Sequence, residues 1–410
     1  KTAALMSERR GALALAAAAE GGKPLPDSQI EVTRAIEGVH LCIDALKNQA
    51  GRQYPMGVNP ASMHRVTFSR HEPIGVVVAV SAFNHPLNLI VHQVGPAIAA
   101  GCPVLVKPAA ATPLACFRFV HLLREAGLPE EWCQVAMTEN NQLAGQMVAD
   151  RRVGFFSFIG SAAVGWMLRS KLAPGARCAL EHGGVAPVLV APDADLDDAL
   201  PLLAKGGFYH AGQVCVSVQR IYAHADIAET LAARLAEKAA ALKVGDPRSA
   251  DTEVGPLIAP REVDRVHEWV QEAVAAGAKL LTGGKPLDNN CYAPTVLLDP
   301  PHDVTISQNE VFGPVVCVYS CDDTDEALKR ANALEVSFQA AVFTKNLDLA
   351  MKAYAGLDAS AVMINDHTAF RVDWMPFAGL RVSGHGIGGI EFTFEDMQIS
   401  KMAVLRSLEL

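Results

Sequence analysis

The chain has 410 residues, 50% of them hydrophobic and 19% charged, which excludes a disordered chain and leaves room for more than one domain core. Its 35 Lys and Arg against 44 Asp and Glu leave a net charge of −9, so nothing electrostatic recommends nucleic acid or an anionic membrane as a partner. The expected partner is a small molecule. Nine cysteines are scattered without a CxxC pair and thirteen histidines without HxxxH spacing, so neither a disulfide framework nor a metal site is implied. A reducing cytoplasm is the expected setting.

Glu8-Arg9-Arg10 followed by the alanine-rich run 11–19 imitates a secretory signal, but the run reads as a helix. From 73 to 190 short β-rich runs alternate with helical patterns. Strands are expected at 74–80, 104–107, 155–158 and 178–181, and helices at 87–100, 113–126 and 161–172. The apolar stretch 74–83 is too short to cross a bilayer. A second alternating block gives strands at 187–190, 217–224, 314–319, 340–343 and 361–364, with helices at 196–209 and 227–244. Alternation of this kind predicts an α/β protein with open parallel sheets covered on both faces. Two such domains lie side by side with the cleft between them. The final run, 398–405, is β-compatible. A terminal strand without a partner in its own chain invites another chain, so an oligomer is expected.

Three short segments carry the chemistry. Gly212-Gln213-Val214-Cys215 sets a cysteine beside a flexible glycine; Glu181-His182-Gly183-Gly184 stands upstream and Glu310-Val311-Phe312-Gly313-Pro314 downstream. A thiol with separate acidic helpers suits nucleophilic attack on a carbonyl, because the thiolate is soft and strongly nucleophilic. Asn84, in Ala82-Phe83-Asn84-His85-Pro86, is a neutral amide suited to holding an oxyanion. Gly160 and Ser161, with Gly165 beyond, stand where a strand gives way to a helix, whose N-terminus attracts phosphate.

The order and spacing of these segments resemble the aldehyde dehydrogenase superfamily over nearly the whole chain. The resemblance makes Cys215 the nucleophile that forms a thiohemiacetal and then a thioester. Asn84 and the Cys215 backbone N–H hold the oxygen, and Glu181 is the base that activates the hydrolytic water. It assigns dinucleotide contacts to Lys107, Gly160, Ser161, Gly165, Glu310 and Phe312, and the substrate channel to His85, His92, Tyr209, Phe370, Arg371 and Phe377. The cofactor implied is NAD. Ala110 stands where many NAD-preferring relatives carry a ribose-binding glutamate, so NADP is also permitted.

The sequence 212–220 looks most like the branch that oxidises lactaldehyde, glyceraldehyde or phosphonoacetaldehyde. Some relatives acting on anionic aldehydes carry arginine directly before the nucleophile. Val214 stands there instead, leaving Arg371 to supply the charge. Ala378, in Met375-Pro376-Phe377-Ala378-Gly379, replaces a more usual glycine. The implied organisation is a dinucleotide-binding domain at 1–54 and 74–183, begun without the N-terminal segment of a typical member. A catalytic domain covers 184–382, and segments 55–73 and 392–410 serve oligomerisation, as a homodimer or homotetramer. Two other readings stay open: a catalytically silent protein on this scaffold, and a CoA-acylating dehydrogenase, against which the presence of Glu181 counts.

Overall fold

The computed structural model describes residues 1–138 and 141–410. Three larger sheets organise the described residues, beside a two-stranded pairing of Val336–Ser337 with Leu380–Arg381. The first has six strands in the order Gly384–His385, Arg177–Glu181, Val153–Ile159, Val76–Val80, Val104–Lys107 and Cys133–Val135. Its strands run parallel except for Gly384–His385, which lies antiparallel against Glu181 and Leu180. Val76–Val80 sits centrally and is almost all valine, as a strand buried on both faces requires.

The second sheet has seven strands: Lys279–Thr282, Thr295–Leu298, Val315–Cys321, Arg220–His224, Pro187–Val190, Gln339–Phe343 and Ala361–Ile364. It too is parallel apart from its edge strand Lys279–Thr282. The expected α/β class with open parallel sheets therefore holds, with one antiparallel edge strand added to each sheet. Several expected elements are shorter in the structure: the strand expected at 74–80 begins at Val76, and the helix expected at 227–244 ends at Ala241. The strand expected at 217–224 begins only at Arg220, because Ser217 N–H bonds the Val214 carbonyl and Val218 N–H the Gly206 carbonyl in a turn. The helix expected at 161–172 ends at Arg169.

The third sheet corrects the argument from the chain terminus. Gln398–Arg406 has a partner in its own chain, pairing antiparallel with Arg65–Pro73 from Gln398↔Pro73 to Arg406↔Arg65, and Gln53–Tyr54 adds to the far side. Its free edge still exposes Met402, Val404 and Leu405. Among the described residues no helix is long and apolar enough to cross a membrane.

The longest helix, Leu25–Asn48, was not expected, since its apolar period is broken by charges that turn out to be buried. Glu31 is 1% exposed and Lys23, just before the helix, 0%. The Lys23 Nζ lies 2.5 Å from Glu31 Oε2, while Glu31 Oε1 accepts from the Leu87 and Asn88 N–H groups at 2.9 and 3.0 Å. One carboxylate thus neutralises a buried cation and caps the helix Asn88–Ala99, whose first N–H groups lack intrahelical partners. Burial lowers the Lys23 pKa against the opposing pull of Glu31. Removing one member of a buried pair strands the other. Glu31→Ala is expected to lose roughly 3–5 kcal/mol in chemical denaturation. Lys23→Met should lose less, since Glu31 keeps its two backbone donors; equal losses would argue against the capping role.

Candidate active site

Cys215 lies in the loop between the helix Leu196–Phe208 and the strand Arg220–His224. The loop enters through three consecutive residues with left-handed backbone, His210 (φ 48°), Ala211 (φ 54°) and Gly212 (φ 69°). Two of these are not glycine, so the turn carries local strain, the kind held in place only by strong surroundings. Those surroundings are visible. A Cβ on Gly212 would overlap the Gly313 carbonyl, so only glycine fits there. Gln213 is 1% exposed; its amide donates to the Pro256 carbonyl at 3.2 Å and accepts from Ile258 N–H at 3.0 Å. Below the loop, Val214, Val216, Phe338 and Phe377 form an apolar cluster against which Cys215 packs.

Asn84 comes from the other sheet, in the connection between Val76–Val80 and the helix Asn88–Ala99. Its Nδ2 donates to the Gln213 carbonyl at 2.8 Å, which places the amide directly against the cysteine loop. An amide has two such hydrogens, so one remains for a developing oxyanion.

Two carboxyl groups reach the same place. Glu181 ends the strand Arg177–Glu181, and its Oε1 fills the space where Gly388 would otherwise carry a side chain. Gly388 is fixed there by a two-way backbone bridge with Phe377, at 3.0 and 2.7 Å. Glu310 lies over Gly183 in the same manner, and Gly184 packs within 3.5 Å of the Cys215 carbonyl if given a Cβ. Gln219 holds the segment carrying Glu310: it donates to the Ile306 and Asn309 carbonyls and accepts from Val311 N–H at 2.8 Å. Burial raises the pKa of Glu181, with the Arg371 charge opposing. Burial pushes Glu310 up to about 8, against the Gly184 N–H and Arg265. The Cys215 thiol is pushed up to about 12, by burial first and then by Glu310 and Glu181, with Arg371 again opposing.

The residues expected to meet a dinucleotide are spread along one flank. Lys107 ends Val104–Lys107 and pairs with no carboxylate among the described residues; burial lowers its pKa. Gly160 donates to the Glu181 carbonyl at 3.0 Å, which ties this turn to the base. Ser161 caps the helix Ala162–Arg169 without a side-chain bond, and Gly165 leaves the space that the His182 ring occupies. Phe312 (φ 47°) meets Phe83 edge to face at 5.8 Å, joining the two sheets' loops across the cleft.

The residues expected at the substrate channel divide. Phe370 is 44% exposed, at the surface, and Phe377 is buried beneath Cys215. Tyr209 Oη lies 3.3 Å from His85 Nε2. The Arg371 guanidinium carbon lies 3.6 Å from the centre of the Phe377 ring, and its Nε is shielded from solvent without a hydrogen-bond partner among the described residues. His92 is buried, 3% exposed, with its Nε2 2.7 Å from the Asp373 carboxylate and its Nδ1 3.5 Å from Arg371 Nη2. Sequence reasoning passed over Arg34, Asp373, Gln219 and Gly388. Their roles depend on contacts between residues hundreds of positions apart, which no local spacing signals.

The elevated thiol pKa has a direct consequence. Because burial and two carboxyl groups disfavour the thiolate, iodoacetamide alkylation of Cys215 in the ligand-free protein should rise steadily with pH and show no plateau below about pH 10. Peptide mass spectrometry follows Cys215 separately from the other cysteines, and a plateau near neutrality would contradict the electrostatic picture.

Comparison with known proteins shows the family. The model of the aldehyde dehydrogenase family matches residues 1–403. The chain is 38% identical over 405 residues to a 3-sulfolactaldehyde dehydrogenase of Priestia aryabhattai, covering 99% of this chain and 84% of that one. It is 34% identical to a lactaldehyde dehydrogenase of Methanocaldococcus jannaschii, covering 98% and 85%. Among solved structures it superimposes on aldehyde dehydrogenase 21 of Physcomitrella patens in complex with the reaction product succinate, with a TM-score of 0.95, 34% identity and coverage of 99% and 84%. It also superimposes on the NADP complex of a glyceraldehyde-3-phosphate dehydrogenase from Methanocaldococcus jannaschii, with a TM-score of 0.94, 33% identity and coverage of 99% and 88%. With a match along nearly its entire length and such relatives on every side, the protein belongs to the aldehyde dehydrogenase family.

Proposed function

We propose that the protein oxidises a small polar aldehyde bearing an anionic group to its carboxylic acid, with Cys215 as nucleophile, Glu181 as base and Asn84 as oxyanion donor. The observation that carries this reading is the meeting of three groups from separate elements at one cleft. Asn84 is bonded to the cysteine loop, Glu181 is seated on Gly388, and Arg371 acts electrostatically on both Glu181 and Cys215. The relatives named above act on sulfolactaldehyde and lactaldehyde or carry succinate, and an arginine with a free Nε is the group that would receive a sulfonate, carboxylate or phosphate.

The residues also suit a dinucleotide. Among the described residues Glu310 Oε1 is buried without a hydrogen-bond partner and Lys107 pairs with no carboxylate, while the Glu310 carboxyl lies over Gly183 in space that any side chain there would take. Lys107 and Glu310 would hold the two riboses, Gly160, Ser161 and Gly165 the pyrophosphate turn, and Phe312 would pack beside the ring. Ala110 places no carboxylate against a 2′-phosphate, so both NAD and NADP fit. A bound nicotinamide would supply the acceptor for the hydride of the thiohemiacetal carbon, leaving a thioester on Cys215 with the thiol's proton released to solvent. Asn84 holds the oxygen while the sulfur attacks, and Phe338 and Phe377 keep bulk water from the apolar side. Glu181 then takes a proton from the water that cleaves the thioester. Its raised pKa brings it nearer the working range of a general base. The exposed edge of Gln398–Arg406, lined by Met402 and Val404, supports a homodimer or homotetramer, and sedimentation would establish which.

Formation of reduced cofactor tests the assignment. Cys215→Ala should be inert. Asn84→Ala should lose about 10²–10³ in kcat. Glu181→Gln should release one equivalent of reduced cofactor in a burst and then turn over about 10²–10⁴ more slowly. Steady turnover by Cys215→Ala would end the proposal.

The pH profile adds an independent check. Glu181 works deprotonated, so activity falls as pH drops through its pKa, which lies above the ordinary glutamate value. Arg371 opposes that elevation, so Arg371→Met should move the acid limb to higher pH. A shift to lower pH, or none, would show that the two groups do not interact.

A further inference from the structure

We propose that His92 is a positioning residue for substrate specificity: fixed by Asp373 in the Nε2–H tautomer, it offers Nδ1 to Arg371 and so aims the guanidinium at the substrate's anionic group. This rests on the reading that Arg371 receives that anion.

The geometry is a chain of four side chains from three parts of the sequence. Arg34, on the helix Leu25–Asn48, grips Asp373 with both edges of its fork, Nε to Oδ2 at 3.0 Å and Nη2 to Oδ1 at 2.6 Å. Asn88 adds a donor to Oδ1 at 3.3 Å. The anchored carboxylate meets His92 Nε2 at 2.7 Å. On the far side of the ring, His92 Nδ1 stands 3.5 Å from Arg371 Nη2.

The chemistry of the partners fixes the protons. A carboxylate only accepts, so Nε2 must carry the hydrogen; a guanidinium only donates, so Nδ1 must be bare. A doubly protonated ring would set an N–H against an N–H and a cation against a cation. Burial acts in the same direction: it lowers the His92 pKa, with Asp373 opposing and Arg371 and Arg34 adding to it. Burial alone would raise the pKa of Asp373, but His92 and Arg34 overcome this and hold its carboxyl well below the usual range.

Arg371 is thereby confined on two sides. Phe377 covers one face of its guanidinium at 3.6 Å, and His92 meets one nitrogen. Nε is left over, shielded and unpartnered. A long flexible side chain held this way loses less freedom when a ligand arrives, so the hydrogen bonds it then makes appear more fully as affinity. The alternative is that His92 merely satisfies Asp373 within the core. The two differ in one respect: only positioning ties His92 to discrimination between charged and uncharged aldehydes.

Glyceraldehyde 3-phosphate and glyceraldehyde make a suitable pair, since they share a skeleton and differ in the anionic group. The expected wild-type enzyme prefers the phosphate in kcat/KM. Arg371→Met should abolish the preference. His92→Leu should reduce it roughly tenfold, mainly through KM of the charged substrate. His92→Gln, whose amide can donate to Asp373 and accept from Arg371, should restore most of it. The double variant should be no worse than Arg371→Met alone.

If His92→Leu keeps the preference that Arg371→Met loses, the positioning role is overturned and the Arg371 reading survives. If Arg371→Met keeps the preference, or the wild type has none, both fall. Nitrogen-15 NMR of the wild-type histidines provides a measurement that does not depend on the leucine variant folding. A protonated Nε2 with a bare Nδ1 on His92 is expected, and the opposite tautomer overturns the proposal.

Discussion

The ion pair between Arg34 and Asp373 is the join on which the cleft depends. Its members are separated by 339 positions, yet they meet at 2.6 and 3.0 Å with the carboxylate almost fully buried. Through Asn88 and His92 the same carboxylate bonds the helix Asn88–Ala99, whose leading connection carries Asn84. Through the backbone it carries Arg371, two residues earlier. One buried charge therefore sets the distance between the oxyanion donor and the arginine across the mouth of the site. Such a pair adds little net stability, because desolvation consumes most of the Coulombic gain, but it penalises every arrangement in which the partners separate. Glu31 adds a second hold at the same point, accepting from the Leu87 and Asn88 N–H groups.

Around Cys215 the electrostatics favour a resting thiol. Burial and two nearby carboxyl groups all disfavour the thiolate, and Arg371 alone among the named neighbours opposes them. Glu310, itself pushed up to about 8 by burial, is largely protonated near neutrality. A nucleophile kept neutral in this way is protected from oxidation, which follows thiolate character. The arrangement also links substrate and nucleophile, since any anion seated on Arg371 would compensate the one positive charge that the sulfur feels.

The legible parts of the sequence were those in which function or fold is written locally. The strands at Val104–Lys107, Pro187–Val190 and Ala361–Ile364 were expected residue for residue, because buried parallel strands are short apolar runs with turn residues at their ends. The cysteine, the two acids and the asparagine stood out because each lies in a short motif beside glycine or proline. The helix Leu25–Asn48 was missed because its buried Asp27 and Glu31 look like surface residues until their partners are known. The helix Pro260–Ala275 went unremarked although Val263, Val266, Val270 and Ala273 mark its buried face and Pro260 its first turn. The resemblance assigned His92 to the channel, but its hydrogen bond to Asp373 is a tertiary fact, invisible to spacing.

The zipped pair formed by Arg65–Pro73 and Gln398–Arg406 has a bearing on how the molecule comes to exist. Its two halves lie far apart in the sequence, so the ladder cannot close until the later strand has left the ribosome. Until then Met397, whose carbonyl receives the Ile74 N–H and the Cys102 thiol, is missing from the early sheet's underside. Maturation of the first sheet must wait for the last. Long-range pairing of this sort slows folding and prolongs the exposure of a naked strand, which makes the nascent chain a natural client for chaperones.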